Sequence, residues 1–591
     1  MQMRSYFFLL GLALCLLPMQ GQARQTVFEQ TGNSASWQQG IDWYRRMAED
    51  HPALQLLEVG NTDSGRPLHL ALLSTHGHDI EQLRADGTTF LLVLNAIHPG
   101  EPAGVDASML WLRELLERED LERYLGDLAI AVVPFYNVGG ALQRNSTTRV
   151  NQQGPDQYGF RGNARHLDLN RDFIKADSRN ARSFHRLFTR LDPLVFVDTH
   201  TTNGADYQYR MSIIKTQPDK LGGKLGEHLR ETMWPALQQA MAEAGEPVVP
   251  FVNVYGRPPE TGWEAFPDLP RYSTGYAALF HSLAFMSEAH MLKPFEQRVT
   301  ATHRFLQTVL DYSLEHRTTL AELREEDRQE EASERQIPIN WQIDRQRYQR
   351  IKFAGYEHDT VTGSVTGLPR LVYDHQRPKT FDVPWYRYYT VSETAVVPEA
   401  WVIPGAWHQV IERLRDNGVE MFSLEGDMTI EATVHRISAV ESLGQPWEGH
   451  FFHRRVETEQ KHETVALFKG DQVVPSKQRA RRYLAHALTP TAADSLFRWN
   501  AFDSILQRKE HFSPDLFEPL ARDILDAEPD LAEAFEARRE SDPEFAADRR
   551  AMLDWIYQRS EHLEPAWNRY PLYAIDQTTL DQLRETDEQI Q

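Results

Sequence analysis

Four short segments of the 591-residue chain hold side chains that could do chemistry together. In the first, the apolar run Thr89-Phe90-Leu91-Leu92-Val93-Leu94-Asn95-Ala96 leads into Ile97-His98-Pro99-Gly100-Glu101-Pro102. A strand entering a Pro-Gly turn, with Pro102 placed to open a helix, sets an imidazole and a carboxylate on either side of the turn, where both can reach one small cation. The same His-x-x-Glu spacing at His78/Glu81 and His228/Glu231 has no strand or turn before it and reads as surface. In the second segment, Leu194-Val195-Phe196-Val197-Asp198-Thr199-His200, another apolar strand ends in a histidine. Ligands in open α/β sheets gather at the carboxyl ends of strands. His98, Glu101 and His200 are therefore expected to converge as two imidazoles and one carboxylate, the ligand count of a catalytic zinc site that keeps a fourth position for water.

The third segment, from Phe160 to Phe173, is unusually polar for a stretch between two buried strands. It offers the guanidinium forks of Arg161 and Arg171 and the amide of Asn170, all suited to a carboxylate or a developing negative charge. Asp168 is placed to hold a ligand histidine through its second nitrogen. In the fourth segment Glu288 ends the apolar run Leu283-Ala284-Phe285-Met286-Ser287. A carboxylate there is costly to bury without a partner, and beside an activated water it would serve as a general base.

Taken together these residues resemble the zinc carboxypeptidase family, the carboxypeptidase A-like metallopeptidases, and within it the exported bacterial members. The marks are a strand-end His-x-x-Glu, a later strand-end His, an Asn-Arg pair between them and a late Glu. Arg161 stands nine residues before Asn170, as in the bacterial members, and 98 residues lie between Glu101 and His200. The resemblance covers roughly residues 35–310. It implies one zinc ion per chain, bound by His98, Glu101 and His200, with Asp168 orienting His98. It implies Glu288 as general base and acid, Arg161 as oxyanion stabiliser, and Asn170 and Arg171 as the grip on the terminal carboxylate of a peptide or peptide-like substrate. The family also closes a mobile tyrosine over substrate, for which Tyr272 and Tyr276 are the candidates. One departure is Asp172, where a second Asn often follows the Asn-Arg pair; its carboxylate is expected to soften the charge of Arg171. The implied reaction is peptide-bond hydrolysis at a C-terminus. The alternatives are a zinc amidase or deacylase acting on cell-wall peptides or acylated amino acids, and a catalytically silent binding module on the same scaffold.

The elements that must carry these residues alternate along the first half. Leu54–Val59, Leu68–Ser74, Phe90–Ala96, Leu128–Phe135, Leu194–Asp198 and Ala284–Glu288 read as buried strands, and Ser108–Leu116 and Ala181–Leu191 have helical spacing. That is the α/β signature, and the resemblance implies an α/β/α sandwich with a mixed central sheet. The division along the chain is a signal peptide at 1–23, a catalytic unit at 24–315, a charged helix or linker at 316–340, a β-rich accessory domain at 341–475 and a helical region at 476–591. The β-rich reading rests on aromatic and β-branched runs such as Trp385–Val391 and Thr429–Val434.

Composition narrows the classes. Hydrophobic residues at 41% and charged residues at 25% describe a globular chain. A formal charge of −22 without a basic patch disfavours nucleic-acid partners. Arg4, the apolar run Tyr6–Leu17 and the small residues of Gly21-Gln22-Ala23 read as a secretory signal, too short for a span of about 20 residues. An exported, periplasmic or secreted protein is expected, with no stable membrane span after cleavage. The single cysteine, Cys15, falls in that leader, so metal sites of the mature chain must use His and carboxylates. Gly-x-Ser-x-Gly, His-Glu-x-x-His, Walker and Gly-x-Gly-x-x-Gly patterns are absent.

Overall fold

A computed structural model describes residues 24–590, with side chains to 585. The expected leader at 1–23, Cys15 included, lies outside the described residues. Strands β1 (Leu54–Asn61), β2 (Pro67–Leu73), β3 (Thr89–Leu94), β4 (Leu128–Val133), β5 (Val195–Thr202), β6 (Met211–Lys215) and β7 (Val248–Pro250) share a sheet with β9 (Leu283–His290); the two-residue β8 (Trp263–Glu264) lies apart. The order of this eight-stranded sheet is β1-β2-β4-β3-β5-β9-β6-β7. Its centre, β4-β3-β5-β9, is parallel, while β1 and β2 at one edge and β6 against β9 run antiparallel. Central parallel strands are covered on both faces, which is why β3 and β4 are near-continuous apolar runs and why β5 and β9 open with Val195-Phe196-Val197 and Leu283-Ala284-Phe285-Met286 before turning polar at the site.

Three helices line one face: α1 (Trp37–Asp50), α2 (Ala103–Leu116) and the 39-residue α6 (Phe295–Ser333). Helix α1 starts at a capping box in which Ser36 and Gln39 satisfy each other's backbone N–H groups. Trp43, Met109, Trp111, Phe305 and Leu306 fill this layer. The charge-dense stretch from 316 to 333 continues α6 without a break. The opposite face carries α3 (Arg179–Leu191) and the short α5 (Ser273–Ala278), with α4 (Trp234–Glu243) beside the β6–β7 edge.

The second half adds three sheets. Strands β10 (Gln336–Ile343) and β13 (Tyr389–Val396) pair with each other. The long ribbon of β11 (Gln349–Thr362) and β12 (Pro369–Tyr386) pairs in parallel with β8 through Trp385 and Trp263. A six-stranded sheet of order β15-β18-β14-β19-β16-β17 holds β14 (Ala400–Ile403), β15 (Phe422–Ser423), β16 (Met428–Ser442), β17 (His453–Leu467), β18 (Gln472–Pro475) and β19 (Tyr573–Ile575). Helices α7 (His408–Asp416) and α8 (Arg481–Leu488) bring this half onto α3 and α5. The contact is a single hydrophobic core: Phe184, Phe188, Tyr276 and Phe280 from the first half join Trp401, Ile411, Leu414 and Tyr483 from the second. Phe280 stacks on Tyr483 with centroids 5.6 Å apart. A separate cluster around Phe517, Phe535, Phe545 and Trp555 holds the helices of 514–557 together. No described helix is long and apolar enough to cross a membrane.

Candidate metal centre

The carboxyl ends of three adjacent parallel strands build the site. The turn after β3 carries His98 and Glu101, β5 carries His200, and β9 carries Glu288. Register does the alignment: Leu94 pairs with Asp198 across β3 and β5, and His200 pairs directly with Glu288 across β5 and β9. All four side chains are buried, between 2% and 8% exposed. One ligand atom from each of His98, Glu101 and His200 falls within 4.8 Å of the others. The decoy pairs stay elsewhere, with Glu81 bonded to Arg190 and His228 to the Tyr312 hydroxyl.

The two imidazoles point their Nδ1 atoms inward. His98 Nδ1 is 3.1 Å from His200 Nδ1 and 3.3 Å from Glu101 Oε1, and His200 Nδ1 is 3.0 Å from Glu101 Oε2. Their outer nitrogens are taken by carboxylates, His98 Nε2 by Asp168 Oδ1 and His200 Nε2 by Asp198 Oδ2, each at 2.8 Å. An imidazole that donates from Nε2 presents a bare lone pair at Nδ1. Two such lone pairs and a carboxylate converging in a buried space are held together by a bound cation or, in its place, by a proton that His200 shares with Glu101. The donor set, two nitrogens and one oxygen with both imidazoles braced from behind, therefore fits a divalent transition metal.

The charges around the set are steep. Burial works to raise the Glu101 carboxyl, but Arg149, His98 and His200 outweigh it and hold it well below the usual range. Arg149 donates to Glu101 Oε1 at 2.6 Å, and the Thr201 amide donates to Oε2 at 2.9 Å. Burial opposes the charged form of His200, yet Asp198 and Glu101 lift its pKa well above the ordinary value. Asp168 is likewise held far below its usual range, against burial, by His98, Arg161 and Arg171. Glu288 goes the other way: burial pushes it up to about 8, against the pull of His200 and with Glu101 and Asp198 adding to the rise.

The remaining expected residues sit on the loop between β4 and β5. Arg161, with its side chain 43% exposed, reaches Asp168 at 2.9 Å and Glu101 at 3.4 Å. Asp168 caps the short turn Leu169–Arg171 by accepting from the Asn170 amide at 2.9 Å. The Asn170 side-chain oxygen is buried without a partner. The Arg171 guanidinium lies over the Tyr272 ring, 4.7 Å from its centroid.

Two expectations need correction. Tyr276 cannot close over a substrate, because it is a core residue: fully buried, stacked on His185 at 4.7 Å, with its hydroxyl donating to Asn417 at 2.7 Å. Asp172 does not soften Arg171, because its carboxylate is occupied by Lys175 at 2.8 Å and by the amides of Asp177 and Ser178.

Sequence reasoning passed over four residues. Asp198 and Ser273, whose hydroxyl donates to Asp198 at 2.6 Å, fix the orientation of His200. Asp198 was findable, since two-residue spacing on a buried strand puts it on the face of His200. Arg149 and Tyr255 come from irregular loops with no periodic signal. Tyr255, 59% exposed, stands close enough to Glu288, Arg161 and Arg171 for its hydroxyl to feel all three charges.

No family model matches the chain, and no curated protein matches it. Solved structures that it matches include metallo-carboxypeptidases, at low identity and over about half of its length. One is a metallo-carboxypeptidase from Pseudomonas aeruginosa in complex with (2-guanidinoethylmercapto)succinic acid, at 18% identity over 49% of this chain and 70% of that one, with a TM-score of 0.37. Another is a metallo-carboxypeptidase from Burkholderia cenocepacia, at 16% identity over 47% and 69%, TM-score 0.36. A third is carboxypeptidase A from Helicoverpa armigera, at 12% identity over 49% and 74%, TM-score 0.35.

Proposed function

We propose that this chain is an exported zinc metallocarboxypeptidase that removes residues from the C-terminus of peptides, with one zinc ion held by His98, Glu101 and His200. The observation that carries the reading is the convergence of two carboxylate-braced imidazoles and Glu101 beside a fourth, buried carboxyl at Glu288. Bound there, zinc supplies Lewis acidity that polarises the scissile carbonyl and brings the ionisation of water near neutrality. Glu288, buried on β9 directly beside His200, would take the proton of the attacking water and hand it to the leaving amine. Arg161, anchored by Asp168 with its side chain 43% exposed, is the guanidinium that would meet the developing oxyanion; one donor of this kind is typically worth about 3–4 kcal/mol of barrier. Arg171 and the side-chain NH2 of Asn170 are the donors that would orient the substrate's terminal carboxylate. Tyr272 and Tyr255 are the side chains placed to cover it.

The test is Glu288→Gln with zinc counted in the same sample. The variant is expected to keep about one zinc per chain while losing on the order of 10²–10⁴-fold in kcat; turnover near that of the parent would remove Glu288 from the reaction. Products from a peptide library sharpen the substrate class. Single-residue trimming from the C-terminus is expected, and release confined to acyl or amide groups would replace the peptidase with an amidase or deacylase.

A further inference from the structure

The segment between β16 and β17 ends in a tight turn, Trp447-Glu448-Gly449-His450. Trp447 and His450 exchange two backbone hydrogen bonds, at 2.8 and 3.0 Å. Glu448 and Gly449 both have positive φ, 50° and 81°, the pattern of a two-residue type I′ turn. Glycine and asparagine favour both central positions of such a turn, and a glutamate with φ of 50° persists only where its surroundings hold it. They do so here. The Trp447 ring packs under the Arg271 guanidinium at 4.8 Å and against Trp499 at 5.2 Å. His450 Nε2 bonds Asp177 Oδ2 at 2.6 Å, and Gly449 abuts Leu167.

What this strained turn delivers is a carboxylate. Glu448 Oε2 accepts from the backbone N–H of Asp168 at 2.8 Å, across 280 positions of sequence. Asp168 is the residue on which the site's orientation converges. Its Oδ1 takes His98 Nε2 and the Asn170 amide, and its Oδ2 takes Arg161 at 2.9 Å, with Arg171 at 3.9 Å. The direction of that carboxylate follows the position of its own backbone, and the Glu448 bond ties that backbone to a body outside the loop. The loop is also held from the first half, where Asn137 Nδ2 donates to the Arg161 carbonyl and Asn163 Nδ2 to Asp63 Oδ2, but the Asp168 N–H itself is bonded by Glu448.

We infer that Glu448 is a positioning residue of the metal centre, acting through Asp168, so that the second half of the chain helps to orient His98 and Arg161. The inference rests on the metal-site reading above. A charged acceptor gives its N–H partner a strong bond. Losing it leaves the amide unsatisfied and frees Asp168 to shift. Loss of such outer partners typically costs 10–100-fold in metal affinity or activity.

The experiment compares full-length Glu448→Ala and Glu448→Gln with the parent by chelator-competition zinc affinity, steady-state kinetics and thermal melting. Glu448→Ala is expected to weaken zinc binding by roughly 10–100-fold and to lower kcat more than it raises KM. Glu448→Gln keeps a carbonyl acceptor and is expected to rescue both values to within a few-fold of the parent. Parental zinc affinity and kcat in a folded Glu448→Ala overturn the inference, as does a folded Glu448→Gln that is as impaired as the alanine variant. Should the alanine variant not fold, Glu448→Asp, one methylene short of Asp168, takes its place and is expected to show the same loss; parental values in it overturn the inference. The zinc titration needs no substrate. A parent that binds zinc and cleaves no peptide would refute the peptidase reading, while the effect of Glu448 on zinc affinity still decides this one.

Discussion

The two faces of the eight-stranded sheet are finished in different ways. One is covered by α1, α2 and α6, helices that flank the strands they pack on and contribute Trp43, Trp111 and Phe305. The other is begun by α3 and α5 and completed only by the second half, through Trp401, Ile411, Leu414 and Tyr483. The first face is a local solution, readable from amphipathic helices beside buried strands. The second is a long-range one, and it lies on the side where Tyr276 anchors α5 and Ser273 reaches Asp198. Residues past 336 therefore finish the core of the first half as well as reaching Asp168 directly.

The largest test of this contrast is to cut the chain after Ser333. Fully burying one large apolar side chain is worth about 1.5–3 kcal/mol. Exposing Phe184, Phe188, Tyr276 and Phe280 in the fragment thus forfeits on the order of 6–12 kcal/mol, comparable with the usual net stability of about 5–15 kcal/mol. Residues 24–333 alone are expected to be insoluble or to lack a cooperative unfolding transition. A soluble fragment that melts cooperatively and binds zinc would show that α3 and α5 close their face unaided.

A smaller perturbation probes the seam directly. Phe280→Ala removes a ring that stacks on Tyr483 and is expected to destabilise the full chain by about 3–5 kcal/mol in denaturant unfolding. Adding Tyr483→Ala should cost less than the two single effects summed, by at least about 0.5 kcal/mol, because contacting residues couple. Strict additivity would mean that the halves touch without packing.

The same contrast explains what could be read from the chain. The strand-end residues His98, Glu101, His200 and Glu288 were legible because a buried parallel strand is a dense apolar run, and a polar residue at its end stands out. The braces were less so: Asp198 shares a strand face with His200, but its partner Ser273 is 75 positions away. Strand β7 is three residues long and shows no alternation. Tyr276 looked available because its segment, Pro270 to Tyr276, is rich in turn formers, and only its contact with Asn417, 141 positions on, reveals it as core. Glu448 carried no signal at all, since its role exists only once a turn of the second half meets the loop of the first.

The faintest expected difference between the faces is in their response to pH, and there the signs oppose. On the local face Asp106 is fully buried, with one oxygen accepting from the Ala35 amide at 3.2 Å and the Ser34 hydroxyl beside the carboxyl. Burial pushes its pKa up to about 7 from 3.8, against the pull of Arg144. The folded chain holds this proton more tightly than the unfolded one, so the stability it contributes is complete below pH 3.8 and is lost as pH rises through 7. On the composite face His185, stacked on Tyr276 and accepting from Asn417 Nδ2 at 3.1 Å, is pushed down by burial to about 4 from 6.5, against Asp172 and Asp416. The fold requires it neutral, so its contribution is complete above pH 6.5 and is lost as pH falls toward 4. Each limb is expected to be worth about 1–3 kcal/mol, below the roughly 1.4 kcal/mol per pKa unit that full coupling would give. Urea unfolding from pH 4 to 8 should therefore show opposite slope changes over one shared span: Asp106→Asn makes stability rise more with pH between about 4 and 7, and His185→Gln makes it rise less between about 4 and 6.5. Slope changes of the same sign in both variants would mean that the pH response of the two faces is not set by these buried groups.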